Sequence, residues 1–135
     1  MLRVNTTNRQ ELLKRITFHS KSLVFKTVSA IFKHNGTYWM ITSGCTGWAP
    51  NEARMFSAPS IWGPWTQHPN PCRGPLANKT FNGQSTFVLP VNGQNIFMAD
   101  IWRPQHPRDA RYIWLPIEFE DGKPVINWQD EWQLK

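Results

Sequence analysis

Ala30-Ile31-Phe32-Lys33-His34-Asn35-Gly36-Thr37-Tyr38-Trp39-Met40-Ile41-Thr42 sets two β-prone runs around one Asn-Gly pair. Both turn residues tolerate the positive φ that a type I′ turn demands, so the stretch reads as a β-hairpin. The pattern returns at Thr86-Phe87-Val88-Leu89, Val91-Asn92-Gly93 and Asn95-Ile96-Phe97-Met98. A third apolar run, Arg111-Tyr112-Ile113-Trp114-Leu115-Pro116-Ile117, leads through Asp121-Gly122 into Pro124-Val125-Ile126-Asn127-Trp128.

The hairpins form a repeat. Asn35-Gly36 and Asn92-Gly93 stand as far apart along the chain as Ala53-Arg54 and Ala110-Arg111, so two landmarks share one offset. Each unit holds a hairpin, a long loop and a second hairpin. The second hairpins are predicted as residues 53–57 with 65–67, and 111–119 with 125–128. Four antiparallel strands recurring at this period suggest propeller blades, which bury their faces against neighbours and form rings of four to eight. Two units do not close such a ring. The chain reads as all-β, about two four-stranded antiparallel blades of an incomplete β-propeller, the C-terminal part of a larger ring.

The 135 residues suit one domain or a piece of one, and no run of apolar residues is long enough to span a membrane as a helix. The first residues lack the apolar core of an export signal. Eight Trp, all after residue 38, and eleven Pro argue against long helices. The net charge of +6 is unevenly placed. Residues 1–29 hold six bases and one acid, a net +5, whereas residues 30–135 hold nine bases and eight acids. Nucleic-acid binding calls for bases interleaved with aromatics on one surface, and here they are segregated. Residues 1–29 therefore read as a basic leader, irregular or partly helical over residues 10–16, and residues 30–135 as the blades.

At this point a family becomes visible. Ile41-Thr42-Ser43-Gly44-Cys45-Thr46-Gly47-Trp48-Ala49-Pro50-Asn51-Glu52-Ala53-Arg54 resembles the family 43 glycoside hydrolases, in particular their exo-β-1,3-galactanase branch. Gly63-Pro64-Trp65 and Phe81-Asn82-Gly83-Gln84-Ser85-Thr86-Phe87-Val88-Leu89-Pro90 are similar to further motifs of that family. The resemblance implies a five-bladed β-propeller, inverting release of galactose from β-1,3-galactan or a related plant polysaccharide, no cofactor, and secretion or a periplasmic location.

Inversion needs a carboxylic acid on the leaving oxygen and a base for the water. The family's general acid is a Glu in a Glu-Ala-Pro-type motif just before the Ala-hydrophobic-Phe-Lys run. Here Thr27-Val28-Ser29 stands at that place, and Thr27 also precedes Gln84 by the repeat offset. The acid is missing, so the chain alone is expected to be inactive. The branch also lacks the usual base carboxylate, and its Gly-Gln-Ser glutamine matches Gln84, as a candidate base, a water-positioning group or simply a sugar ligand. Thr46 resembles a sugar-contacting loop residue; Trp48 and Trp102 are candidate stacking platforms; Asp100 is a candidate substrate contact, or with Arg103 part of a loop salt bridge.

Most of the remaining Trp (39, 62, 65, 114 and 128) are assigned to blade packing, and His34 to a solvated turn. Cys45 and Cys72 both belong to loops on the expected sugar face, which allows a disulfide, while two free thiols remain equally compatible with the sequence. No metal-ligand spacing is recognisable among Cys45, Cys72, His68 and His106. A non-catalytic galactan-binding module is the alternative reading. No nucleic-acid or membrane partner is expected, and an unpaired blade edge predicts self-association.

Overall fold

The computed structural model describes residues 29–47 and 49–135. Residues 1–28 of the expected basic leader, with the helix expected over residues 10–16 and Thr27, lie outside the described residues, as does Trp48. The described chain is almost entirely strand: β1 (Ser29–His34), β2 (Thr37–Thr42), β3 (Arg54–Ala58), β4 (Thr66–His68), β5 (Cys72–Arg73), β6 (Gln84–Val91), β7 (Gln94–Ile101), β8 (Arg111–Glu120) and β9 (Lys123–Asn127). Two short 3-10 segments, Ala77–Asn82 and Pro107–Asp109, complete it.

The strands form two sheets, ordered β1-β2-β3-β4 and β5-β9-β8-β7-β6. Among the described residues neither sheet closes on itself. Within each blade the neighbours are antiparallel. Only β5, a two-residue strand in the connection between blades, runs parallel to β9. The predicted hairpins are present with ends shifted by one to three residues, as fraying strand ends allow. Asn35-Gly36, Asn92-Gly93 and Asp121-Gly122 all have both residues at positive φ, from 45° to 82°. These are the left-handed turns whose twist matches that of the flanking strands.

The repeat offset holds at the starts of three strand pairs: Thr37 and Gln94, Arg54 and Arg111, Thr66 and Lys123. It fails in the upper part of the inner strands. The register of β6 on β7 shifts between Ser85 and Phe87, a β-bulge that inserts one residue. Above the bulge Ser85 pairs with Ala99, as Ser29 pairs with Thr42, so Ser29 answers Ser85 at one residue less than the offset. The position answering Gln84 lies before Ser29, outside the described residues.

One core joins the blades. Ala30, Phe32, Trp39, Ile41 and Met55 of the first pack with Val88, Phe97, Ala99, Ile113, Leu115 and Ile126 of the second. Full burial of side chains such as Phe97 and Ile126 stabilises by about 1.5–3 kcal/mol each. Inner strand β1 lies against inner strand β6, and the buried Ser85 hydroxyl crosses the seam to donate to the Ile41 carbonyl at 3.2 Å.

Two assignments from sequence are corrected. His34 is not merely a solvated turn residue: its ring stacks on Phe119 of the second blade, centroids 3.6 Å apart. Of the tryptophans assigned to packing, Trp39 is buried, but Trp62 and Trp114 are each 49% exposed and Trp128 is 38% exposed. Among the described residues no further sheet lies against the outward side of the second blade, where Trp114 is exposed.

Candidate functional site

The up-and-down strand order places the β2–β3 loop, the start of β6 and the β7–β8 loop at the same end of the blades. The predicted site residues within the described chain fall there. Gln84 opens β6, where it pairs across the sheet with Asp100, which pairs in turn with Tyr112. Gln84 Nε2 donates to the carbonyl of Gly47 in the first blade's loop at 2.6 Å. A carbonyl can only accept, so the amide orientation is fixed: one N–H is used, and Oε1 and the second N–H remain available.

The β2–β3 loop is held by Asn51. Its Oδ1 accepts from the Gly44 backbone N–H at 2.6 Å, and its Nδ2 donates to Thr46 Oγ1 at 2.6 Å. Its carbonyl accepts from the buried hydroxyl of Thr80 at 2.7 Å. The Thr46 hydroxyl itself donates to the Ala49 carbonyl at 2.6 Å. With its proton committed, Thr46 can meet a sugar only as an acceptor. Asn51 is the residue that sequence reasoning missed. It lies inside the motif Ile41 to Arg54, but nothing in its residue type distinguishes an amide that braces a loop from one that faces solvent.

Asp100 is exposed near the end of β7, and its side chain makes no hydrogen bond or ion pair with the described residues. The expected loop salt bridge exists with a different acid: Arg103 pairs with Asp109, which also meets Arg111 at 3.4 Å. Trp102 is 41% exposed at the start of the β7–β8 loop.

The disulfide allowed by the sequence is not made. Cys45 and Cys72 are free thiols, the first exposed and the second buried. Cys72 opens β5 and points into the core, where it is 5% exposed, while Cys45 sits outward in its loop. Burial, and then the charge of Glu52, pushes the Cys72 thiol up to about 12.

A cleft of ≈ 440 Å³ opens beside this loop, lined by Thr46, Asn51, Glu52, Arg54, Gln67, His68 and Asn70. Asn70 Nδ2 donates to Glu52 Oε1 at 3.3 Å and to the Ala77 carbonyl at 2.9 Å. His68 Nε2 lies 2.7 Å from Ser57 Oγ, and its ring leans on Trp39. Desolvation, and then Lys123, holds its pKa below the usual histidine value. A larger cleft, ≈ 760 Å³, lies under the C-terminal residues at the other end of the second blade and contains none of the predicted site residues. Among the described residues no three His, Cys, Asp or Glu side chains gather as metal ligands, and no helix is long and apolar enough to cross a membrane.

No family model matches the chain, and no curated protein matches it. Solved structures do. A GH43 β-1,3-galactosidase bound to galactodeoxynojirimycin is 59% identical, with a TM-score of 0.77 over 79% of this chain and 32% of that one. The exo-β-1,3-galactanase of Phanerochaete chrysosporium, solved with β-1,3-galactotriose, is 42% identical with a TM-score of 0.66, covering 73% of this chain and 23% of that one. That of Clostridium thermocellum is 32% identical with a TM-score of 0.62, covering 73% and 22%. These relatives are five-bladed β-propellers. The chain spans between 22% and 32% of their length.

Proposed function

Because the chain belongs to the family 43 glycoside hydrolases, on the branch of the β-1,3-galactosidases and exo-β-1,3-galactanases, we propose that its two blades carry part of a β-1,3-galactan site. On this reading the chain alone binds the polysaccharide without cleaving it. The observation that carries the proposal is the 59% identity to a β-1,3-galactosidase, combined with a Gln84 amide tied to Gly47 at the mouth end of the blades.

Chemistry explains the division between binding and cleavage. Inversion needs a carboxylic acid and a base about 6.5–9.5 Å apart. The resemblance and the repeat offset both put Thr27 at the acid's place. Neither its side chain nor that of the adjacent Val28 has a carboxyl proton to give, and both positions lie outside the described residues. Gln84 is neutral, and an amide oxygen is far too weak a base to accept a proton at neutral pH. Its free Oε1 instead accepts from a water or a sugar hydroxyl and orients it, while the second N–H donates to a neighbouring oxygen. Asp100, in register beside Gln84, offers a carboxylate acceptor for a second hydroxyl.

The purified chain is expected to release no galactose from β-1,3-galactan above an empty-vector control, while millimolar β-1,3-galactotriose perturbs its tryptophan fluorescence. Galactose release would overturn the inactivity, and an unchanged spectrum would overturn the binding. A non-catalytic galactan-binding module is the limiting form of the same reading, favoured by a mouth that has acceptors and aromatic planes but no acid at Thr27 or Val28.

A further inference from the structure

We propose that the β7–β8 loop recognises an anionic substituent on the galactan, a uronic-acid carboxylate or a sulfate ester, with Arg108 as its contact and His106 beside it. This rests on the galactan reading above and adds a substrate class to it. The loop leaves β7 after Ile101, one residue past Asp100, the register partner of Gln84, so it stands at the edge of the proposed sugar site.

Charge distribution is the first argument. Residues 102–110 contain Arg103 and Arg108 against Asp109, a net +1. Residues 29–101 and 111–135 together hold seven bases and seven acids, a net charge of zero. All the positive excess of the two blades is therefore in this one loop. An uncharged galactan gives no use for it.

The second argument is what each cation does. Asp109 holds both Arg103 and Arg111. Backbone bonds from His106 N–H to the Arg103 carbonyl, 3.0 Å, and from Asp109 N–H to the His106 carbonyl, 2.9 Å, brace the turn. Arg108 and the His106 ring are exposed and make no side-chain hydrogen bond or ion pair with the described residues. Arg108 thus does nothing for the fold, on a loop already fixed by its neighbours.

The internal repeat sharpens this. The position answering Arg108 one repeat earlier is Asn51, whose amide oxygen and one N–H are turned inward on Gly44 and Thr46 of its own loop. The second blade replaces an inward-turned amide with an outward guanidinium, whose planar fork fits a carboxylate or sulfate through two parallel hydrogen bonds. Trp102, 41% exposed at the start of the same loop, supplies a plane for the sugar ring that bears the charge.

The test is titration of the full chain with β-1,3-galactotriose, with the same trisaccharide carrying a glucuronate, and with a sulfated form, followed by calorimetry at low salt. The charged forms are expected to bind about two- to fivefold more tightly than the neutral one, the range of a partly exposed ion pair. Preference for the glucuronate alone assigns a carboxylate, and equal preference for both assigns any anion. The advantage should vanish in about 0.5 M salt, where screening shortens to a few ångströms. It should also vanish in Arg108→Gln, with affinity for the neutral trisaccharide unchanged. Equal affinity for neutral and charged forms, or an advantage that survives Arg108→Gln, overturns this inference and leaves the galactan reading standing. Failure of all three to bind overturns both. Polyglutamate binding as tightly as the charged trisaccharides would reduce the loop to a non-specific cation and overturn it too.

Discussion

Gln84 Nε2 reaches across the blade seam to the carbonyl of Gly47 at 2.6 Å, so the inner strand of one blade holds the mouth loop of the other. Gln84→Glu tests this contact. An ionised carboxylate cannot donate, and it would face a carbonyl that has lost its partner. The variant should lose about 1–2 kcal/mol in urea denaturation at neutral pH. Part of that loss should return as pH falls toward the ordinary glutamate pKa of about 4.3, because a carboxylate facing a carbonyl takes up its proton more readily in the folded state than in the unfolded one. An unchanged urea midpoint would show the contact to be incidental.

The two cysteines should behave as opposites. Cys45 is exposed and Cys72 is buried with its thiol pushed up to about 12. Since the thiolate is the reactive form, Cys72 should be inert in the native protein. A colorimetric thiol reagent is expected to find one thiol before denaturation and two after it. Two reacting at once would contradict the burial of Cys72, and none at all would mean a disulfide. The same group sets an alkaline limit. Its folded pKa lies above the ordinary thiol value of 9.0, so above that value the unfolded thiol ionises first and stability falls until the folded pKa is reached.

His68 sets a limit in the other direction. Burial and then Lys123 lower its pKa from 6.5, so the folded state binds a proton less readily than the unfolded one. Its contribution is fully present above pH 6.5 and is lost as pH falls from there through the folded pKa. Denaturation midpoints of the parent and His68→Asn, compared between neutral and mildly acid pH, should show a smaller acid loss in the variant. Parallel pH profiles would remove His68 from the account.

Local chemistry explains what the sequence revealed. The Asn-Gly and Asp-Gly turns are dictated by residues that accept positive φ, and the matching turns expose the repeat without any tertiary information. The bulge in β6 was invisible because polar Gln84-Ser85-Thr86 runs straight into the continuous apolar Phe87-Val88-Leu89, which leaves no alternation whose phase an inserted residue could break. Strand β5 has two residues and no periodicity to detect. Mouth loops could be located from the strand count, but Asn51 acts through three hydrogen bonds made only after the loop folds. The exposure of Trp114 depends on what lies beyond the second blade, which residue type alone does not say.

That outward side yields the last prediction. In the first blade, Ile41, Met55 and Ser57 lie on the side that packs toward the second. Their counterparts one repeat on are Met98, Tyr112 and Trp114, and there Tyr112 is 70% and Trp114 49% exposed, beside Phe87 at 52%. An aromatic surface of this kind favours association. Sedimentation velocity should therefore show mass rising with protein concentration. Trp114→Ser installs the residue that the first blade has at this position, Ser57, and should weaken association about tenfold. Folding stability should change by less than about 0.5 kcal/mol, as for an exposed side chain. The Trp132 indole would not be disturbed, because it donates to the backbone carbonyl of residue 114, at 2.7 Å, and not to its side chain. A parent chain that stays monomeric across the concentration range would show that the exposed aromatics do not drive association.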